Sequence, residues 1–321
     1  MKKLTFNEYW DKFSTFTILL LIVIVFGILA PNVFFTTSNL IRITEQSSIT
    51  ILLAIGVFFS ILKAGIDLSV GSTMALTGFV TAQLMTDGMH PLLAVLLGIF
   101  VLGSFLGFVN GSLVALTKLP PFIITLGTQS IFRGITWVIS NARAVSGLPP
   151  EFTRLVGGRI LGNMLPLPIV IALLTAGILT WFSLKTKPGR NIYAIGGNEA
   201  SAWFAGINVN IHTILVFTLS GLCAGLAGMV NIARLSAAEP NAGIGFETFA
   251  IAAVIIGGTS FFGGQGVIPK VVVGGLIIGV INNGLNMVGV SAFYQQIAMG
   301  ALIIVAVTLD RFFGSGSKGK V

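Results

Sequence analysis

The chain has 321 residues, 55% of them hydrophobic and only 9% charged, with a mean hydropathy of +0.98 and a formal net charge of +8. A soluble domain carries roughly a quarter charged residues, so this composition excludes one, and the chain reads as an integral membrane protein. The basic excess reads as loop charge that orients the chain at an anionic leaflet, with membrane lipid and not nucleic acid as its counterpart; the single cysteine, Cys223, excludes an internal disulfide.

Apolar runs near the ~20-residue spanning length recur from end to end, and they are continuous, not alternating. Helices are therefore expected, not a barrel. The predicted class is an all-α integral membrane protein of about ten transmembrane helices, some short or broken, in a single domain over 1–321. The first span, 16–30, follows Lys2, Lys3 and Lys12, as in a signal peptide. Its leading region is long and mixed in charge, and the "APNVFF" after it offers no A-x-A site, so an uncleaved first helix is expected.

The second and third spans, 48–64 and 68–86, are divided by "KAGIDLSVGS", residues 63–72. Lys63 complements a helix C-terminus, Gly65 suits the left-handed position beyond it, and Asp67 or Ser69 can cap the next helix. From Ile49 to Lys63 a helix covers about 22 Å, short of the ~30 Å hydrocarbon core. Either the helix begins earlier, through "NLIRITEQSS", or the turn lies beneath the membrane surface. A deep Asp67 needs protein or water around it, and the stretch is then a broken helix beside a polar pathway. The other reading is an ordinary cytoplasmic turn.

The fourth and fifth spans are 92–116 and 122–139. Gly103, Gly107 and Gly111 recur every four residues, as do Ser220, Ala224 and Gly228 further on; such faces let helices pack closely. Gly275 and Gly279 form a third, shorter series. Asn110 lies in the fourth span. The fifth carries Thr125, Thr128, Gln129 and Arg133, and a guanidinium is costly in lipid, so Arg133 is expected to face the bundle. After the sixth span, 165–183, residues 184–210 form a long polar loop. Pro188 and Gly189 mark a turn in it. "NEASAWFAG" then reads as a short helix, with Asn198 as cap, Glu199 in the first turn and Gly206 at the stop. Its Trp203 and Phe204 read as a docking patch or as interfacial anchors.

The seventh span, 211–232, leads into "RLSAAEPNAGIGFETFA", residues 234–250. With the arginines of the 140–164 loop it reads as an outer surface. There Glu239, Glu247 and Arg154 are candidates for docking a partner by charge. The eighth span, 247–260, is short and runs into "IIGGTSFFGGQGVIPK", a second interruption that points to a central site or gate. The last spans are 267–288 and 292–310. Asn282, Asn283 and Asn286 lie in the ninth, where they either line a path for a hydroxyl-rich solute or join helices. The pathway or gate candidates are thus Asp67, Ser69, Asn110, Arg133, Asn282, Asn283 and Asn286. An even number of spans returns both termini to one side. All the lysines fall there and none on the other, so both ends are expected in the cytoplasm.

No metal-site motif, nucleophile elbow or paired carboxylate occurs, so no catalytic residue, metal or cofactor is assigned and the chain does not read as an enzyme. No Walker loop is present, and Asp67 is the one carboxylate expected within a membrane span, too few groups for a proton or sodium relay. A chain of this kind that moves solute uphill needs a separate source of energy. A self-sufficient channel or secondary carrier is the alternative.

"AGIDLSVGS", "GRNIYAIGGNEASAWFAGINV", "ARLSAAEPNAGIGFETFAIAAVIIGGTSFFGGQG" and "INNGLNMVGVSAFYQQIAMGALIIVAV" follow one another in order. Together they resemble the permease subunits of bacterial ABC importers for ribose, allose and similar monosaccharides. "YWDKFSTF" and "PPFIITLGTQSIFRGIT" are nearer the allose type than the ribose type. The resemblance implies a homodimer in the bacterial inner membrane that imports a monosaccharide by alternating access. It implies two further partners: a cytoplasmic ABC ATPase that binds ATP and magnesium, and a periplasmic sugar-binding protein. It also implies that Gly197, Asn198, Glu199, Ala200, Ala202 and Gly206 form the coupling helix that docks on the ATPase. The general importer pattern there is E-A-A-x-x-x-G; here Ser201 replaces the second Ala and Gly206 falls one position later.

Overall fold

The computed structural model describes residues 6–314 and is a bundle of helices; Lys2, Lys3, Lys318 and Lys320 lie outside the described residues. The helices are α1 (Phe6–Leu29), α2 (Thr37–Leu62), α3 (Val70–Thr86), α4 (Pro91–Leu96), α5 (Ser104–Thr117), α6 (Pro121–Ser140), α7 (Pro150–Gly157), α8 (Leu167–Lys185), α9 (Lys187–Gly197), α10 (Glu199–Phe204), α11 (Val209–Leu235), α12 (Phe246–Ile256), α13 (Ile268–Met287) and α14 (Ala292–Gly314). A π-helical stretch, Leu97–Gly103, joins α4 to α5 in one continuous rod. Two short antiparallel pairs complete the list. Val145–Ser146 (β1) pairs with Ala237–Ala238 (β4), and Arg159–Ile160 (β2) with Leu165–Pro166 (β3).

Each of the ten expected spans coincides with a helix, but among the described residues six helices are long and apolar enough to cross a membrane by themselves: Thr37–Leu62, Pro91–Thr117, Pro121–Ser140, Leu167–Lys185, Val209–Leu235 and Ile268–Met287. Among the others, α3 has 17 residues and α12 only 11. α2 starts eleven residues before the expected 48, through the "NLIRITEQSS" stretch, which removes the apparent shortfall in its length.

α2 is the core of the bundle. Every residue from Ser47 to Leu62 is buried, so the helix is apolar on all sides because it is surrounded on all sides. α11 lies against it: a methyl built on Gly56 would stand 3.1 Å from the Ser220 backbone. The glycine series explain the close contacts. Methyls on Gly103 and Gly111 would stand 2.8 Å from the Gly221 carbonyl and 2.6 Å from the Ile214 Cα, so α5 and α11 meet backbone to backbone. Gly228 faces α3 at Met74, and Gly275 and Gly279 seat α13 on α2 at Ile51 and Ser47. The third, shorter series therefore packs as tightly as the first two.

Candidate coupling surface and polar interior

The long polar loop expected over 184–210 is two helices. Thr186 Oγ1 accepts the Gly189 N–H at 3.1 Å and caps α9, so Pro188 and Gly189 belong to a first helical turn, where proline is tolerated. They are not a loop turn. α10 then forms as its sequence suggests. Asn198 Oδ1 accepts the Ser201 N–H at 2.8 Å, and Glu199 sits at the positive end of the helix. Gly206, at φ 81°, closes it: its N–H donates to the Trp203 carbonyl at 2.9 Å, and the Ile207 N–H to that of Ala202 at 3.0 Å. A six-residue helix does not persist alone in water, so these caps and the buried Ala202 hold it. Ala200 is exposed, and Trp203 and Phe204 project outward, 63% and 80% exposed, edge to face at 5.0 Å. Beside them a groove of about 790 Å³ is lined by Lys118, Glu199, Trp203, Ile207 and Asn210.

Behind α10, three backbones interlock. The Gly264 N–H donates to the Leu62 carbonyl at 2.8 Å, tying the 257–267 loop to the end of α2. A methyl on Gly196, at the end of α9, would strike that carbonyl and stand 2.7 Å from Gly264 N; one on Gly263 would stand 2.8 Å from the Gly196 carbonyl and 2.9 Å from Ala64 N. Gly197 is the closest neighbour of Gly264 in the same way, at 2.8 Å, while a methyl on Gly197 itself would meet open space. Tyr193 Oη donates to the Gly266 carbonyl at 2.9 Å. Burial pushes this phenol above its ordinary value, so it keeps the proton it donates. Lys63 reaches Glu199 at 3.4 Å.

At the end of α2 the left-handed residue is Ala64, at φ 62°, and not Gly65 as expected. The motif is otherwise the one anticipated: the Gly65 N–H reaches back to the Ser60 carbonyl at 2.8 Å and the Ala64 N–H to that of Ile61 at 2.8 Å. Asp67, 1% exposed, then accepts the Ser69 N–H at 3.0 Å and Ser69 Oγ–H at 2.6 Å through Oδ1, and Ser220 Oγ–H at 2.7 Å through Oδ2. Asp67 therefore caps the start of α3. Ser69 does not: its hydroxyl turns to Asp67 and accepts from Asn110 Nδ2 at 2.8 Å. Thr125 Oγ1 donates to the Ile66 carbonyl at 3.1 Å. Ser220 lies eleven residues beyond Val209, about 16 Å along α11. From Gly65 onward the stretch is thus a break set inside the bundle and held by α5, α6 and α11, and not an exposed turn. Asn110 Oδ1 is buried there with no hydrogen-bond partner.

A second polar region lies along α6. Arg133 Nη1 donates to the Pro240 and Ala242 carbonyls at 2.7 and 2.8 Å, Trp137 Nε1 to Asn241 Oδ1 at 2.9 Å, and Gln129 Nε2 to Glu247 Oε1 at 3.0 Å. Arg133 faces protein, as its cost in lipid requires. Glu247, expected on an outer surface, is half-buried instead, with Oε2 turned inward against Gly71. It is a second interior carboxylate beside Asp67. Glu239 and Arg154 are exposed, and β1 joins β4 immediately before Glu239, so the 140–164 segment and the start of the 236–245 segment do adjoin.

The three asparagines of α13 separate. Asn283 and Asn39 exchange amide hydrogen bonds at 2.9 and 3.1 Å, and Asn286 Oδ1 accepts from Gln295 Nε2 at 2.8 Å. These two join helices. Asn282 is buried, and its Oδ1 has no hydrogen-bond partner. Among the described residues no group of three metal-ligating side chains occurs. Sequence reasoning missed Ser220 and Trp137 as partners of these regions. Ser220 lies 153 residues from Asp67, and no local spacing signals the pairing.

Residues 39–307 match the family model described as the permease component of branched-chain amino acid transport systems. The D-allose transport system permease protein of Escherichia coli strain K12 is 54% identical over 97% of this chain and 94% of its own length. The ribose import permease protein of Haemophilus influenzae is 40% identical over 98% and 99%, and the galactose/methyl galactoside import permease protein of Escherichia coli strain K12 is 34% identical over 97% of both. No solved structure matches the chain.

Proposed function

The chain belongs to this family of transport-system permease components, and from that premise we propose that it is the membrane subunit of an ATP-driven, binding-protein-dependent importer of a monosaccharide, D-allose or D-ribose. The observation that carries the reading is α10: a helix capped at both ends, seated on the core by a glycine junction and ending in an exposed Trp203–Phe204 pair. Paired aromatics in such a place suit an ATPase groove, because aromatic anchors dominate interface energy. Gly197, Asn198, Glu199, Ala200, Ala202 and Gly206 are the coupling residues in this reading. The end of the bundle that carries α10 is then cytoplasmic, where Lys63 and Lys118 also lie against the 198–210 segment. ATP and magnesium are held by the partner ATPase, the exposed Glu239 and Arg154 face a periplasmic sugar-binding protein, and a second copy of the chain completes the pathway in the inner membrane.

The mechanism follows from the junction. When the ATPase pair closes, α10 is pulled, and Gly196 passes the displacement to the end of α2 and to the 257–267 loop together. Those segments end on the break at Asp67 and at the head of α13, so one movement reaches both interrupted regions. The test is uptake by the complex reconstituted with its ATPase and binding protein, against a panel of aldoses. Uptake of allose or ribose is expected, and it is lost in Glu199→Arg, which reverses the charge at the start of α10. Wild-type uptake in that variant, or no aldose uptake at all, contradicts the reading.

A further inference from the structure

We propose that residues 236–247 form a strap that closes the translocation path on the side opposite α10, and that Gln129, Arg133 and Trp137 of α6 are the latch that holds it. The inference rests on the transport reading above and assigns a closing device to a segment whose sequence looked like an outer docking loop.

The strap descends along α6. It starts at the end of α11, where Ala237 and Ala238 pair with β1. Asn241 is held by Trp137, Pro240 and Ala242 by Arg133, and Glu247 by Gln129. These three α6 residues are spaced by four, so they share one face, and from Trp137 to Gln129 the strap goes about 12 Å deeper. Between the Arg133 and Gln129 contacts, Gly243 meets Gly71 backbone to backbone, with neither position able to take a side chain. Gly71 lies in the first turn of α3, four residues past Asp67, so the strap meets the helix that the buried break starts.

Little within the strap holds it in place. Its own hydrogen bonds are turn contacts, such as the Ala242 N–H to the Glu239 carbonyl at 3.0 Å, and Gly243 and Gly245 take positive φ. The Arg133 guanidinium replaces a strand partner: one charged nitrogen satisfies two strap carbonyls with charge-assisted bonds.

α6 is also placed to move the strap. It packs on α3 and α5, and leaves Leu126, Ile131, Ile135 and Val138 uncovered. Near its start, Thr125 bonds the Ile66 carbonyl and Pro121 abuts Gly65. One rod therefore touches the break at its lower end and the strap along its upper half. A tilt of α6 that loosens the latch changes both sites together.

The test uses the permease–ATPase complex in proteoliposomes loaded with labelled ribose, without ATP, alongside hydrogen exchange. Arg133→Ala is expected to speed amide exchange across 237–247 at least about tenfold, the equilibrium equivalent of one hydrogen bond to a charged group. α2 and α11 should keep their protection, and passive ribose efflux should rise. Arg133→Lys, which keeps a cation, should fall between. Trp137→Phe removes only the bond to Asn241 and should shift both readouts the same way by less; it carries the test if Arg133→Ala does not assemble. Unchanged exchange over 237–247 in an assembled variant overturns the latch, and a loosened strap in vesicles that stay tight overturns the closure. Exchange is read without transport, so absence of any sugar flux in the wild type counts against the sugar reading and leaves the latch standing or falling on exchange alone.

Discussion

Asp67 receives its three hydrogen bonds from neutral donors: one backbone N–H and the hydroxyls of Ser69 and Ser220. Both carboxylate oxygens are used, so the tolerance of the site to substitution depends on what can still accept. Asparagine keeps an oxygen for the two Ser69 donors and offers its amide N–H to Ser220 Oγ. Alanine leaves all three donors without an acceptor, and Ser220→Ala leaves Oδ2 alone unpaired. Each buried unpaired group costs about 1–3 kcal/mol. The thermal midpoint of the detergent-solubilised complex should therefore fall most for Asp67→Ala, less for Ser220→Ala and least for Asp67→Asn. A variant order with asparagine worse than alanine would show that the carboxylate's charge, and not its hydrogen bonds, organises the break. The capping role of Asp67, with Ser69 as the alternative, was legible in the sequence, since a short side-chain acceptor three residues ahead of α3 suits a turn or helix start. Its depth was not, because it depends on Ser220 and Asn110, which are brought beside it by helix packing.

Helix ends were read well where a cap is local and poorly where it is not. Asn198 and Gly206 bracket α10 as the spacing suggested. α9 was missed because Pro188–Gly189 carries the same residues as a turn, and only the Thr186 hydroxyl one residue before the helix distinguishes a first turn from a loop. Ala64 in the left-handed position shows tertiary contact overriding preference. The conformation costs an L-residue about 1–2 kcal/mol, yet it sets Leu62 and Ala64 against the glycine loop. At this junction the element-scale prediction is a matched pair. Gly196→Ala puts a methyl against the Leu62 carbonyl, and backbone on both sides cannot yield as a flexible side chain would. Gly197→Ala, one residue on, meets open space. Both variants should still co-purify with the ATPase, because α10 itself is untouched. Gly197 belongs to the coupling segment through its backbone, so Gly197→Ala should weaken the coupling of uptake to hydrolysis only slightly, and Gly196→Ala should lose it. Equal coupling in the two would mean that displacement leaves α10 by some other route.

At the scale of the molecule, composition gave the solvent and the apolar runs gave the helices, while the two interruptions, at 63–69 and 257–267, became meaningful only in three dimensions. They converge on the same backbone contacts at Leu62, Ala64, Gly196 and Gly264. Glu247 was placed outside because its neighbours are turn residues; the chain folds inward there, and nothing in a local window records the direction. Among the described residues Glu247 thus joins Asp67 as a carboxylate turned into the bundle, where only Asp67 was expected, and the two are held by separate partners. Asp67 is bound by Ser220 of α11 and Ser69 of its own turn, and Glu247 by Gln129 of α6. Both Asp67 oxygens are occupied by neutral donors, and the sequence carries no nucleotide loop. Reconstituted alone in liposomes under an imposed proton or sodium gradient, it should not concentrate allose or ribose above the outside level. Adding the ATPase, the binding protein and ATP should produce accumulation that stops when Trp203 and Phe204 are both replaced by serine, since the energy then enters only through α10. Uphill uptake by the chain alone would place the driving force inside this bundle and would require Asp67 and Glu247 to be read as ion-coupling groups instead.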